Sequence, residues 1–280
     1  MTEMMDLVYQ AKAGDARALE TLIESVRENV YGLTQRMLYD PSDAEDAAQE
    51  IFMKIIAGMD SFKGKSAFST WVYKVAVNHL IARKRNRYER NRLRFEEYEK
   101  DLECDIPVGF SNASDDPLHC LIAFEVRVSC IMGLLLCLDR EHRIAFLISD
   151  VFDVTGEEGA AVMGVTPETF RKRLSRARKS LSGFLGKNCS LVASGASCSC
   201  ANHASAKIRK GETDASRFMY AAHQRQCLND EALLRAIREM DDLNRLGTIY
   251  GNYPGIAAPA DLTRRIMDII ASGKYTLLGG

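Results

Sequence analysis

Thr155-Gly156-Glu157-Glu158-Gly159-Ala160-Ala161-Val162-Met163-Gly164-Val165-Thr166-Pro167-Glu168-Thr169-Phe170-Arg171-Lys172-Arg173-Leu174-Ser175-Arg176-Ala177-Arg178 spells two helices around a sharp turn. Gly164 suits the left-handed backbone that closes a helix before a turn. Thr166 is placed to cap the second helix, and Pro167 fits its first position. Phe170, Leu174, Ala177 and Leu181 follow at i, i+4, i+7 and i+11, so they face inward. Arg171, Lys172, Ser175, Arg176, Arg178 and Lys179 are left on the outer face, and no acid occurs from Thr169 to Lys187. A helix-turn-helix lays such a helix in the DNA major groove. There Arg reaches guanine edges, while Lys and Ser hold phosphates. A solvated basic helix without a partner is the plainer reading. The capped short helix, the Gly turn and the missing acids favour DNA. Gly156 and Gly159 are poor helix formers and are expected to loosen the first helix.

Upstream, the pattern stays helical. An apolar helix from Leu121 to Leu138 and another from Arg140 to Asp153 complete a unit over 119–187. Residues 95–118 carry eight acids, Pro107, Gly109 and Pro117 without periodicity, and read as a flexible linker. Before them, Leu7, Ala11, Ala18, Leu22, Val26, Val30, Leu33 and Met37 recur at helical spacing, with Asp15 as a cap inside the stretch. Ser42 or Asp43 is expected to cap a helix over about 43–59. Asp46, Gln49, Glu50 and Met53 share one face of it. A long helix is expected from near Ser66 towards Arg94, its first half apolar and its second basic. No strand pattern of useful length appears, so the fold class is all-α.

The net charge of −1 hides strong patterning: seven of the twelve residues from Arg83 to Arg94 are Lys or Arg. Local charge matters more than the sum when the partner is a polyanion. The loop Phe62-Lys63-Gly64-Lys65-Ser66 and the helix after it mix cations, amides and aromatics, as single-stranded DNA sites do. Trp71 reads as core; Lys63, Lys65, Asn78 and His79 are the better contacts. No apolar run approaches the ~20 residues of a membrane helix, and the N-terminus lacks the order of a signal peptide, so a cytoplasmic protein is expected.

Two segments together resemble the extracytoplasmic-function (ECF) sigma factors of the sigma-70 family. Asp43-Ala44-Glu45-Asp46-Ala47-Ala48-Gln49-Glu50-Ile51-Phe52 and the stretch Phe62 to Asn78 are similar to their region 2. Thr169 to Arg178 is similar to the recognition helix of their region 4. The resemblance implies a sigma region 2 over 5–94, a linker over 95–118, a region 4 over 119–187 and an extension over 188–280. It implies that Asp46, Gln49, Glu50 and Met53 bind the β′ clamp helices of core RNA polymerase, region 4 meeting the β flap. Lys63, Lys65, Ser66, Lys74, Asn78, His79, Arg83, Lys84 and Arg85 would then meet the promoter −10 element. Thr169, Arg171, Lys172, Ser175, Arg176 and Arg178 would read the −35 element. Promoter DNA and core polymerase are the implied partners, an anti-sigma factor is a further one, and no membrane is involved. No catalytic residue or required cofactor is implied.

The extension contains Cys189, Cys198, Cys200 and His203, three thiols and an imidazole of the kind that holds zinc or copper. Incidental thiols in a bridge are the alternative. The spacing resembles the Cys-rich tail of a subset of these sigma factors, which implies a metal- or redox-responsive tail that folds back on the sigma regions. Cys227 and His223 could supplement the set, and helices are expected over 213–250 and 259–272. Two rival readings stay open on the residues alone: a stand-alone helix-turn-helix regulator and a metal-responsive sensor. Nothing in the His spacing or the glycines supports an enzyme.

Overall fold

The computed structural model describes residues 2–91, 94–104, 117–193, 195–196, 198–211, 218–220 and 257–272. The described helices are α1 (Thr2–Lys12), α2 (Ala16–Leu38), α3 (Pro41–Ala57), α4 (Phe68–Ala82), α5 (Arg87–Arg90), α6 (Phe95–Cys104), α7 (Pro117–Cys137), α8 (Arg140–Phe146), α9 (Gly156–Met163), α10 (Pro167–Asn188), α11 (Cys200–Arg209) and α12 (Leu262–Ala271). Among the described residues no strand forms; one isolated bridge pairs Cys189 with Cys198. The all-α reading holds.

Local chemistry sets most helix ends. The Asp15 carboxylate accepts from the Arg17 and Ala18 N–H groups and starts α2. At α3 the cap is Asp40, which accepts from Ser42 and Asp43, so neither of those residues is the cap itself. Pro41 then takes the first helical position, where its missing N–H costs nothing. The long helix expected from Ser66 to Arg94 is instead two helices. α4 starts at Phe68 and stops at Ala82, because Asn86 is drawn aside. Its Nδ2 donates to the Leu38 carbonyl and to Asp43, both at 2.8 Å, while its Oδ1 caps α5. Part of the expected linker is also ordered, since 95–104 form α6. The helix-turn-helix follows its sequence closely. Thr155 and Glu158 form a capping box, Gly164 adopts φ 64°, and Thr166 caps α10.

α1–α4 pack as one bundle and α8–α10 as another, which α7 joins through the continuous core they all share. Leu22, Leu33, Met37, Phe52 and Phe124, Phe146, Phe170 are almost fully buried on the two sides. Each such side chain contributes about 1.5–3 kcal/mol by leaving water. α9 lies against α4, Tyr73 stacks on Phe152, and Thr70 reaches Glu158 at 3.5 Å. The polar centre of the seam is Glu89 on α5. Arg140 Nε donates to it at 2.7 Å and Arg143 lies 3.5 Å away. Arg143 also donates to the Met37 and Leu138 carbonyls, and Arg140 to those of Ile81 and Arg83.

α7 corrects one expectation: Leu118–Cys137 is long and apolar enough to cross a membrane. Here Leu121, Phe124, Val128, Met132 and Leu135 point into the protein core, and the charged Glu125 and Arg127 are buried within the same helix.

The described parts of the extension pack on this body. α11 packs on α7, where His119 Nε2 lies 3.0 Å from Ser205 Oγ. Met219 and Tyr220 donate their backbone N–H groups to Glu125 at 2.8 and 2.9 Å. The Tyr220 hydroxyl donates to the Tyr39 carbonyl at 2.7 Å, so this short segment touches both α7 and the first bundle. α12 then packs on α2 and α3. Of the expected helix over 213–250 only 218–220 are described, and they are not helical; Cys227 and His223 lie outside the described residues.

Candidate nucleic-acid interface

α10 presents the strongest cationic face. Phe170, Leu174, Ala177 and Leu181 are buried, which turns Arg171, Lys172, Ser175, Arg176, Arg178 and Lys179 outward. Thr169 is half-buried at the start, its N–H donating to Thr166 Oγ1. These side chains are not equally free. Arg178 holds Asp150 through Nε at 2.8 Å, and this hydrogen bond raises its pKa further. Lys172 lies 2.7 Å from Glu168, an exposed pair that solvent screens. Arg173 is tied to Glu141 at 2.6 Å.

The first bundle gathers the second set. Lys63, Lys65 and Ser66 are exposed on a loop turned by Gly64 at φ 69°. Lys74 and Asn78 are exposed one turn apart on α4, and Lys84 and Arg85 are exposed just beyond it. Trp71 is half-buried against Phe62 and Phe68, as core packing predicts. His79 does not join the exposed set. It is 7% exposed, and its Nε2 lies 3.1 Å from Glu50. Burial, helped by Lys54 and Arg83 and opposed by Glu50, lowers its pKa. Arg83 also donates to Glu50, at 2.8 Å.

Glu50 therefore links this set to the acidic-amide face. Asp46 and Glu50 are exposed on α3, and Gln49 and Met53 are half-buried beside them. Together they line a groove of about 390 Å³ that Ile269 of α12 completes.

In the extension, Cys189, Cys198, Cys200 and His203 line a single cavity of about 770 Å³ together with Cys130. The bridge sets Cys189 opposite Cys198, and Cys198 Sγ lies 3.4 Å from His203 Nε2. Burial, with Cys200 and Cys189 adding, pushes the Cys198 thiol up to about 12; burial also raises Cys189. A metal ion bound by these thiols would have to displace their protons. Among the described residues no three of these donors converge as a preformed metal cage. The sequence did not single out Cys130, nor Glu89, Arg140 and Arg143. Glu89 carried a signal, as the one acid in the basic run from Arg83 to Arg94.

A helix-turn-helix with an open cationic helix, joined to a bundle with its own basic loop, defines a helical protein of the DNA-binding class. Residues 22–90 match sigma-70 region 2, and residues 129–181 match sigma-70 region 4. The ECF RNA polymerase sigma-E factor of Escherichia coli K12 is 30% identical over 182 residues, covering 62% of this chain and 90% of the relative. The RNA polymerase sigma-H factor of Pseudomonas aeruginosa is 29% identical over 184 residues, with the same coverage. The solved structure of CnrH in complex with the cytosolic domain of CnrY is similar at 21% identity and a TM-score of 0.45, covering 64% of this chain and 94% of that one. The chain belongs to the ECF RNA polymerase sigma factors of the sigma-70 family. Sigma factors are in general DNA-binding initiation factors that are not enzymes.

Proposed function

We propose that this sigma factor works in the cytoplasm through three surfaces. Asp46, Gln49, Glu50 and Met53 take the clamp helices of core polymerase. The loop at Lys63–Ser66, with Lys74, Asn78, Arg83, Lys84 and Arg85, meets the −10 element. The outer face of α10 reads the −35 element, with 5–94 acting as region 2 and 119–187 as region 4. His79 supports this set from below through Glu50. The observation that carries the reading is the outer face of α10, which the capped helix-turn-helix turns outward with Arg171, Ser175 and Arg176 exposed along it.

The chemistry is binding used to open DNA. Duplex contacts along α10 set the register. Unstacking a base costs a few kcal/mol, which contacts in the −10 pocket offset. In transcription with purified core enzyme and a selected promoter, Arg171→Ala and Arg176→Ala should each lose about 1–3 kcal/mol of promoter discrimination. Unchanged transcripts and footprints in both variants would overturn the −35 assignment.

The extension, 188–280, acts on these surfaces and makes the chain one of the Cys-rich-tail type. The shared cavity of Cys189, Cys198, Cys200 and His203 supports this reading, although the donors must turn to meet one ion. Zinc or copper bound there would tie the end of α10 to α11. Equilibrium zinc binding to the full chain tests it: one ion lost on Cys198→Ser is expected, and no binding overturns it. An anti-sigma factor would have to compete with this internal contact.

A further inference from the structure

α12 lies in the groove between α2 and α3. Leu262 and Ile266 are fully buried there, and Thr263 is 3% exposed. Beside this apolar stripe, Arg265 Nη1 pairs with Glu45 of α3 while its Nε stays 3.4 Å from Asp261. Just ahead of the helix, the Ala258 N–H donates to Glu28 of α2 at 2.9 Å. The helix is therefore held by burial, by an ion pair and by a backbone hydrogen bond, each reaching a different residue of the first bundle.

Its position bears on function. Glu45 directly precedes Asp46 in sequence. One turn beyond Arg265, Ile269 enters the wall of the groove formed by Asp46, Gln49, Glu50, Met53 and His79. An α-helix with its side chains is about 10–12 Å across, and packed helices lie about 8–10 Å apart. A helix seated along α3 at Glu45 and rimming the groove at Ile269 therefore takes the lane that a second helix docking on this face would use. It also matches that face chemically, as a cation on an acid and an aliphatic side chain next to Met53.

We infer that α12 is an internal occupant of the polymerase-docking surface, standing where a helix of the core enzyme has to come. This inference rests on the reading of Asp46, Gln49, Glu50 and Met53 as the polymerase-binding residues. The competition is within one chain, so it acts in every molecule and does not weaken on dilution. Core polymerase binds fully only when α12 has left α2 and α3, and α12 re-seats only when the polymerase has gone. Seating and polymerase binding exclude each other, so whatever strengthens the seat of α12 lowers the competent fraction and weakens polymerase binding.

The test uses the full chain, fluorescently labelled and titrated with purified core polymerase. Arg265→Glu should raise affinity about fivefold or more, the lower end of common site-to-site couplings. Glu45→Arg breaks the same pair from the other side. The double variant Glu45→Arg/Arg265→Glu should return to the starting affinity, a reversal that loss of folding does not produce. Ile266→Asp removes the apolar anchor and should also raise affinity, with circular dichroism checking the fold. Should Ile266→Asp misfold, Arg265→Glu and the double variant still decide the matter. Unchanged or weaker binding by folded Arg265→Glu overturns the inference. Glu50→Ala and Met53→Ala separate the two levels. If neither weakens polymerase binding, the docking assignment itself fails. If they weaken it while the α12 variants strengthen nothing, only the role of α12 fails.

Discussion

Gly159 makes room for Phe170. A Cβ there would stand 2.4 Å from Phe170 Cζ and 2.7 Å from Cε2, inside the body of a buried ring. Propensity alone marks Gly159 and Gly156 as equal weaknesses in α9, but around Gly156 nothing lies within 4 Å. Gly156→Ala should therefore be neutral or stabilising by up to about 1 kcal/mol. Gly159→Ala should cost about 1–3 kcal/mol despite its better propensity, because the ring must shift. Urea unfolding of the two variants checks the contrast. His79 makes a pH prediction. Burial lowers its folded-state pKa from 6.5, so the unfolded chain binds the proton more readily. Its contribution is fully present above about pH 6.5 and is lost as pH falls below that value. His79→Gln should flatten the fall in stability between pH 7.5 and pH 5.5, as measured by urea midpoints.

At the scale of elements, α10 was legible in the sequence because its start signal, apolar stripe and charge all lie within one stretch. Thr166, Pro167, Phe170 and Leu174 needed no distant partner to declare their roles. The end of α4 was illegible for the opposite reason. Asn86 breaks the helix by reaching Leu38 and Asp43, more than forty residues upstream, and only tertiary contact reveals that. The cap of α3 was missed by two or three residues because Asp40 lies ahead of the proline. For α10, roles divide by side chain. Lys172→Ala should weaken DNA binding evenly across sequences and lower the salt slope by about 1. Measured affinities from 50 to 200 mM salt check this. Arg178 is held by Asp150, so Asp150→Asn should loosen the aim of its guanidinium and change DNA affinity without removing a cation.

The whole molecule turns on the seam. Burial alone would raise the Glu89 pKa, but the hydrogen bond from Arg140 and the charge of Arg143 outweigh it and the net shift is downward. Its stabilisation is present above about pH 4.5 and is lost as pH falls through the lowered value. Glu89→Ala leaves buried cations uncompensated and should cost about 3–5 kcal/mol. Small-angle scattering should show the two bundles apart in that variant. The closure of the two bundles on each other was not legible in the sequence, since a glutamate in a basic run and arginines in α8 show their pairing only when folded. Cys189, Cys198, Cys200 and His203 line one cavity without converging as a metal cage among the described residues, and α12 had no signal beyond an apolar helix. The Tyr220–Tyr39 bond spans 181 residues of chain, and the Arg265–Glu45 pair spans 220. Ribosomes add about 5–20 residues per second. Both sigma units thus leave the ribosome on the order of ten seconds before the helix that later covers one of them exists, so a nascent chain passes through an unlatched interval that the finished protein does not have.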